Sequence, residues 1–207
     1  YELADVSAAA VASVVPALTR AWWRCLGDLL GRSPLLVNAT HDYGMPIDMP
    51  NPRTVGADRI ANAIAARNAY GSPVIVVDFG TATNIDVVDG RGAYRGGAIS
   101  PGLMLSANAL FSKAAKLASI PVEAPEHALG DTTETAMQSG LVIGAAAQAE
   151  GLVSRMKAEL GIEQAKVIGT GGLARTVSRA TDLFDAVDPT LTLRGIREIW
   201  LQQHGGA

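Results

Sequence analysis

A layered α/β fold is what the sequence predicts, and three observations predict it. A β run from Pro73 to Phe79 breaks at Gly80-Thr81 and resumes from Thr83 to Val88; a segment of helical apolar spacing, Asp58 to Tyr70, precedes it. Further on, Lys166 to Thr170 reads as a strand that a Gly171-Gly172 turn hands to a helix over Leu173 to Ala180. Strands and helices alternating in this way bury a sheet between helices. With 207 residues, 48% hydrophobic and 18% charged, the chain can form one large domain or two small ones, and its composition argues against disorder.

Taken in order, Ala8 to Val15 reads as a short buried strand ending at Pro16, and Leu18 to Leu30 as an amphipathic helix. Pro34 to Val37 is brief and apolar. Asp42 to Pro52 holds three prolines, which neither a helix nor a central strand accommodates. The helix from Asp58 to Tyr70 carries Ile60, Ile64 and Ala66 on one face and begins on an acid, which suits its dipole. Pro73 to Phe79 and Thr83 to Val88 form a hairpin. Asp89, Gly90 and Gly92 read as a turn, Gly96-Gly97 as another, and Gly102 as the start of a helix from Leu103 to Leu117. Two helices fit between Thr133 and Leu160. No repeat and no low-complexity tract is present; if the chain has two halves, Asn84 to Gly97 is the candidate boundary.

A net charge of −3 with no basic run argues against nucleic-acid binding and for a small-molecule partner. Cys25 has no second thiol, so the chain reads as intracellular, with Cys25 as a small buried hydrophobe. The apolar runs Val74 to Val77 and Gly140 to Ala147 fall far short of the roughly 20 residues that cross a bilayer, so no membrane span is expected. The first ten residues carry acids and no positive cluster; they read as a chain entered within a domain, not as a signal peptide. Trp22, Trp23 and Trp200 read as packing or interface residues. His41, His127 and His204 are too scattered for a zinc site or a hydrolytic triad.

Chemistry concentrates at Val77-Asp78-Phe79-Gly80-Thr81-Ala82-Thr83. A hairpin with a glycine and two hydroxyls lets backbone amides converge on a phosphate, and Asp78 could hold a cation beside it. An ordinary hairpin with a turn glycine is an equal reading of this segment alone. Asp58 and Arg59, taken alone, fit a helix-start acid and a surface cation.

The ordered set GADR, DFGTAT with Asp86 after it, GGAISPGL, TTETAMQSG and TGGLA resembles type III pantothenate kinase over nearly the whole chain. The resemblance implies an actin-like fold of two ribonuclease H-like halves clamping a nucleotide, here divided as residues 1–85 and 86–207, with the first strands of the amino-terminal half missing. It implies ATP-dependent phosphorylation of pantothenate to 4'-phosphopantothenate, the first step of coenzyme A biosynthesis. By the same carry-over Asp58 is the general base; Gly56, Ala57, Asp58, Arg59 and Thr133 line the pantothenate site. Gly80 and Thr81 meet the ATP phosphates, Gly171 and Gly172 the adenosine, and Asp78 a monovalent cation, potassium or ammonium. ATP with magnesium, a cytoplasmic location and a homodimer follow, with dimer contacts expected on helices Leu103 to Leu117 and Ala136 to Met156.

Three features depart from the family pattern. No DxGNT-type loop, which holds ATP phosphates and magnesium, is present; Met49 stands where a substrate-contacting tyrosine is usual; and Thr132 replaces the usual Asn. Besides an active kinase, the sequence leaves open an inactive homologue, a binding or regulatory module akin to Bvg accessory factor, and a related sugar or acetate kinase. GADR and AMQSG weigh against the last.

Overall fold

A computed structural model describes residues 5–113 and 119–205. Its elements run β1 (Ala10–Val11), α1 (Pro16–Leu30), β2 (Leu35–Leu36), α2 (Ala57–Tyr70), β3 (Val74–Phe79), β4 (Ala82–Val88), β5 (Tyr94–Pro101), α3 (Leu103–Lys113), α4 (Thr133–Gln138), α5 (Gly144–Leu160), β6 (Lys166–Thr170), α6 (Ala174–Val177), β7 (Ala186–Val187) and α7 (Leu191–His204). The expected continuation of α3 to Leu117 falls among residues 114–118, outside the described residues.

Five strands form one sheet in the order β5-β4-β3-β6-β7, in which β3, β4 and β5 are antiparallel neighbours and β6 and β7 join in parallel. This is the ribonuclease H-like arrangement. Helices cover both faces. Period-2 alternation sends Val74 and Val76 of β3 and Val88 of β4 to the side packed by α2 and α7, and Ile75, Val77, Phe79, Ile85 and Val87 to the side packed by α5 and α6. Where α7 crosses α2 the backbones touch: a Cβ on Gly195 would lie 1.9 Å from the Ala61 carbonyl oxygen. The division drawn between residues 85 and 86 falls inside β4, between β5 and β3 of this sheet.

Several expectations need correction. The first strand shrinks from Ala8–Val15 to Ala10–Val11 because its partner β2 offers only two residues, Leu35 and Leu36. Val15 instead donates its N–H to the Ser13 hydroxyl and is the N-cap of α1, with Pro16 in the first turn. No residue of α1 is buried, and Cys25 is exposed, not sequestered. Gly96 and Gly97 lie within β5 and are not a turn. A Cβ on Gly97 would fall 1.7 Å from the Ile85 carbonyl oxygen, so the glycine serves strand approach. Between α4 and α5, residues Ser139–Ile143 form a π-helical turn, so the two predicted helices are one path with a widened segment. β7 and α7 were not anticipated.

Candidate active site

The parallel register of β3 and β6 assembles the site. Asp78 is level with Thr170, so the two strands end together, and the Gly80-Thr81 turn leaves beside Gly171-Gly172. Ligands of α/β sheets bind outside such carboxyl ends, where neighbouring connections diverge. Gly171 adopts φ +91°, and a Cβ there would lie 2.4 Å from Asp78 Oδ1 and 2.7 Å from the Phe79 carbonyl oxygen. Gly102 backs the other turn, its absent Cβ falling 2.2 Å and 2.6 Å from the Thr81 and Gly80 carbonyl oxygens. Gly80, Thr81 and Gly172 are exposed. The result is a shallow cradle of backbone with a carboxylate at its edge.

Above this edge stands the first turn of α2. Gly56 is its N-cap, Ala57 is buried, and Asp58 Oδ1 accepts from the Arg59 amide at 2.9 Å. Alternation in β3 and β4 turns Asp78 and Asp86 to the same face as α2. Asp78 Oδ2 accepts from Asn62 Nδ2 at 2.9 Å. Burial pushes the Asp78 carboxyl above its ordinary range; the Asn62 bond works against the rise and the Asp58 carboxylate adds to it.

Arg59 is not free. Its Nε and Nη2 both reach Asp86 Oδ1, at 2.8 Å and 2.7 Å, and Tyr94 donates its hydroxyl to the same oxygen at 2.6 Å. Asp86 is fully buried, and its Oδ2 has no hydrogen-bond partner among the described residues. Burial raises the Asp86 pKa, while Arg59 and Tyr94 oppose the rise. Burial also works against the Arg59 charge, but Asp86 outweighs it and the net shift is upward. Burial and Asp86 together push the Tyr94 phenol up. The guanidinium therefore enters the cleft with much of its charge already answered. This ion pair was missed because Asp86 lies 27 residues from Arg59; alternation with Asp78 was the available signal.

Asp58, Arg59, Asp78, Gly80, Thr81, Gly171 and Gly172 thus gather at one sheet edge. Thr133 is the exposed first residue of α4; Thr132, not Thr133, caps that helix in a reciprocal pair with Thr135. Met49 packs its side chain against Gly96, whose missing Cβ would lie 3.4 Å from the Met49 sulfur.

The sequence model of the family described as type III pantothenate kinase matches residues 1–155. A type III pantothenate kinase from Thermomicrobium roseum is 46% identical over 204 residues, covering 99% of this chain and 78% of the relative. The chain belongs to the type III pantothenate kinase family. Another member, from Moorella thermoacetica, is 43% identical over 96% of this chain and 78% of its own length. Among solved structures, a protein from Campylobacter jejuni assigned to the Baf family of transcriptional activators matches with a TM-score of 0.66 at 19% identity, over 94% of this chain and 81% of that one, a likeness of fold. For a member of the type III pantothenate kinase family, the DFGTAT and TGGLA segments are the two turns that flank Asp78, and GADR is the helix start above them.

Proposed function

We infer that the sheet edge carrying Asp58, Asp78 and the two glycine turns transfers the terminal phosphoryl group of ATP to the primary hydroxyl of pantothenate, giving 4'-phosphopantothenate for coenzyme A biosynthesis. The observation that carries this reading is the convergence of both turns on one carboxylate-edged cradle, in a chain of this family. Phosphoryl transfer needs positioning and charge compensation more than covalent help, and a backbone cradle supplies positioning at little entropic cost. Thr81 and Gly80 meet the phosphates and Gly171 and Gly172 the adenosine. Asp58 accepts the proton of the pantothenate hydroxyl as the new P–O bond forms and the bond to ADP breaks. Arg59, fixed by Asp86, directs its remaining N–H groups to the pantothenate carboxylate; Gly56 and Ala57 shape the floor beside it.

Asp78 Oδ1, facing the Gly171 backbone, together with nearby carbonyl oxygens is a hard-oxygen donor set that fits potassium or ammonium. Such a cation offsets phosphate charge. Among the described residues no group of three or more His, Cys, Asp or Glu could cage a metal ion. Magnesium would come bound to the ATP phosphates and offset their charge. The exposed apolar side chains of Ile99, Met104, Leu105 and Leu110 support a homodimer through β5 and α3. Thr133, exposed at the start of α4, then contacts the pantothenate of the partner. An ATP-using enzyme of this pathway works in the cytoplasm, where no transmembrane helix is needed; among the described residues none is long and apolar enough to be one.

The test is transfer of labelled phosphate from ATP to pantothenate, pantetheine and hexoses, in sodium and in potassium buffers of equal ionic strength. Label on pantothenate, and faster turnover in potassium, is expected. Label on a hexose, or none with pantothenate bound, would replace this reading with a related kinase or a binding module; equal rates in both salts would remove the cation from Asp78.

A further inference from the structure

α2, β3 and α7 meet at one buried amide. Asn62 follows Asp58 by four residues, so both side chains lie on the same face of α2, one turn apart. Asn62 is 1% exposed. Its Nδ2 donates to Asp78 Oδ2 at 2.9 Å, and its Oδ1 accepts from the hydroxyl of Thr192, in the first turn of α7, at 2.7 Å. A carboxamide offers an oxygen on one side and an NH2 on the other, and rotation exchanges them. The Asp78 carboxylate only accepts, so it draws the NH2 end, while the Thr192 hydroxyl satisfies the oxygen at the other end and tethers the amide to α7. With Oδ2 so occupied, the carboxylate is held with Oδ1 toward the Gly171 backbone, within 2.4 Å of where a Cβ on that glycine would be.

We propose that Asn62 and Thr192 are positioning residues for Asp78, a relay by which α7 sets where the remaining carboxylate oxygen is presented to a monovalent cation at the phosphate cradle. The proposal rests on the reading of Asp78 as the cation ligand. Buried polar groups are costly unless mutually satisfied, and here three groups from three elements satisfy one another in a chain that ends at the cradle. A purely structural contact at this crossing needs no such polar chain: the adjoining α2–α7 contact at Gly195 is made by backbone alone.

Thr192→Val keeps the shape and removes the O–H. Without the hydroxyl the buried Asn62 Oδ1 loses its donor, so the amide is no longer tethered to α7 and the Asp78 carboxylate that it holds shifts with it. The potassium concentration for half-maximal activation should rise ~10-fold, the scale of one buried hydrogen bond, with a smaller change in kcat at saturating potassium. A second readout is the potassium-dependent rise in Tm of the protein without nucleotide or pantothenate; its midpoint should move in parallel. Thr192→Ser, which retains the hydroxyl, should match wild type, and Asp78→Asn should abolish both potassium responses. A wild-type protein that ignores potassium in both readouts overturns the cation reading and the relay with it. A wild-type response that Asp78→Asn abolishes and Thr192→Val leaves unmoved overturns the relay alone. Equal shifts in Thr192→Ser and Thr192→Val assign the effect to packing and also overturn it. Should Thr192→Val fail to fold, Thr192→Ala against Thr192→Ser reads the same hydroxyl.

Discussion

The five-stranded sheet and the β1–α1–β2 segment are built from similarly apolar sequence and differ in how firmly they are specified. In the sheet, β3 is paired along its length on both sides, from Val74↔Val88 to Phe79↔Thr83 with β4 and from Val74↔Lys166 to Asp78↔Thr170 with β6. Of the residues of β3 only Asp78 is not fully buried. β1 and β2 share two residue pairs, and α1 leaves Leu18, Trp22 and Leu29 more than half exposed. A one-residue slip in the sheet would turn Asp78 and Asp86 away from α2, so burial on both faces locks the register. The candidate site sits where backbone freedom is least, so its geometry comes from strand register more than from the loops that carry the glycines.

Three substitutions test this contrast. Asp86→Ala strands Arg59, which is 13% exposed at its side chain, without its buried partner, and should cost ~3–5 kcal/mol in equilibrium unfolding. A loss under about 1 kcal/mol would mean that the pair is not part of the framework. Asp58→Asn should separate chemistry from framework: turnover falls ~100-fold while pantothenate still binds and the melting curve barely moves, since base catalysis contributes roughly 10² to 10⁴. Near-normal turnover would remove Asp58 as the base. At the other extreme, Trp22→Ser on α1 should change stability by no more than about 0.5 kcal/mol, as for an exposed residue. A larger loss in denaturant unfolding would show that the apolar face of α1 is covered in solution.

Much of this architecture was legible in the sequence wherever local periodicity and turn chemistry agree. The hairpin β3–β4, the strand β6 with its double glycine, and α2 were readable for that reason, and the glycine positions of both turns followed. Gly96-Gly97 misled because a glycine pair signals a turn, whereas the Ile85 backbone demands the second of them within a strand. α7 escaped notice because Gly195 interrupts its pattern, yet that glycine is required by the Ala61 crossing. Asp86, Asn62 and Thr192 act through partners 27, 16 and 130 residues away, distances at which no spacing rule operates.

The π-helical turn at Ser139–Ile143 sets a length rule for the chain. Just before it, Gln138 donates to the Pro121 carbonyl at 3.1 Å, and Ser139 at its start donates to that of Ala128 at 2.6 Å, tying the preceding loop to the helix. A π turn fits one residue more than an α turn into nearly the same rotation, so removing one here would return the path to α-helix and leave α4 and α5 nearly in register. Removing one from α4 or α5 would instead turn everything upstream by about 100°, and Thr133 and both loop anchors would face new neighbours. Within this helical path, 139–143 is therefore the stretch that absorbs a change of number.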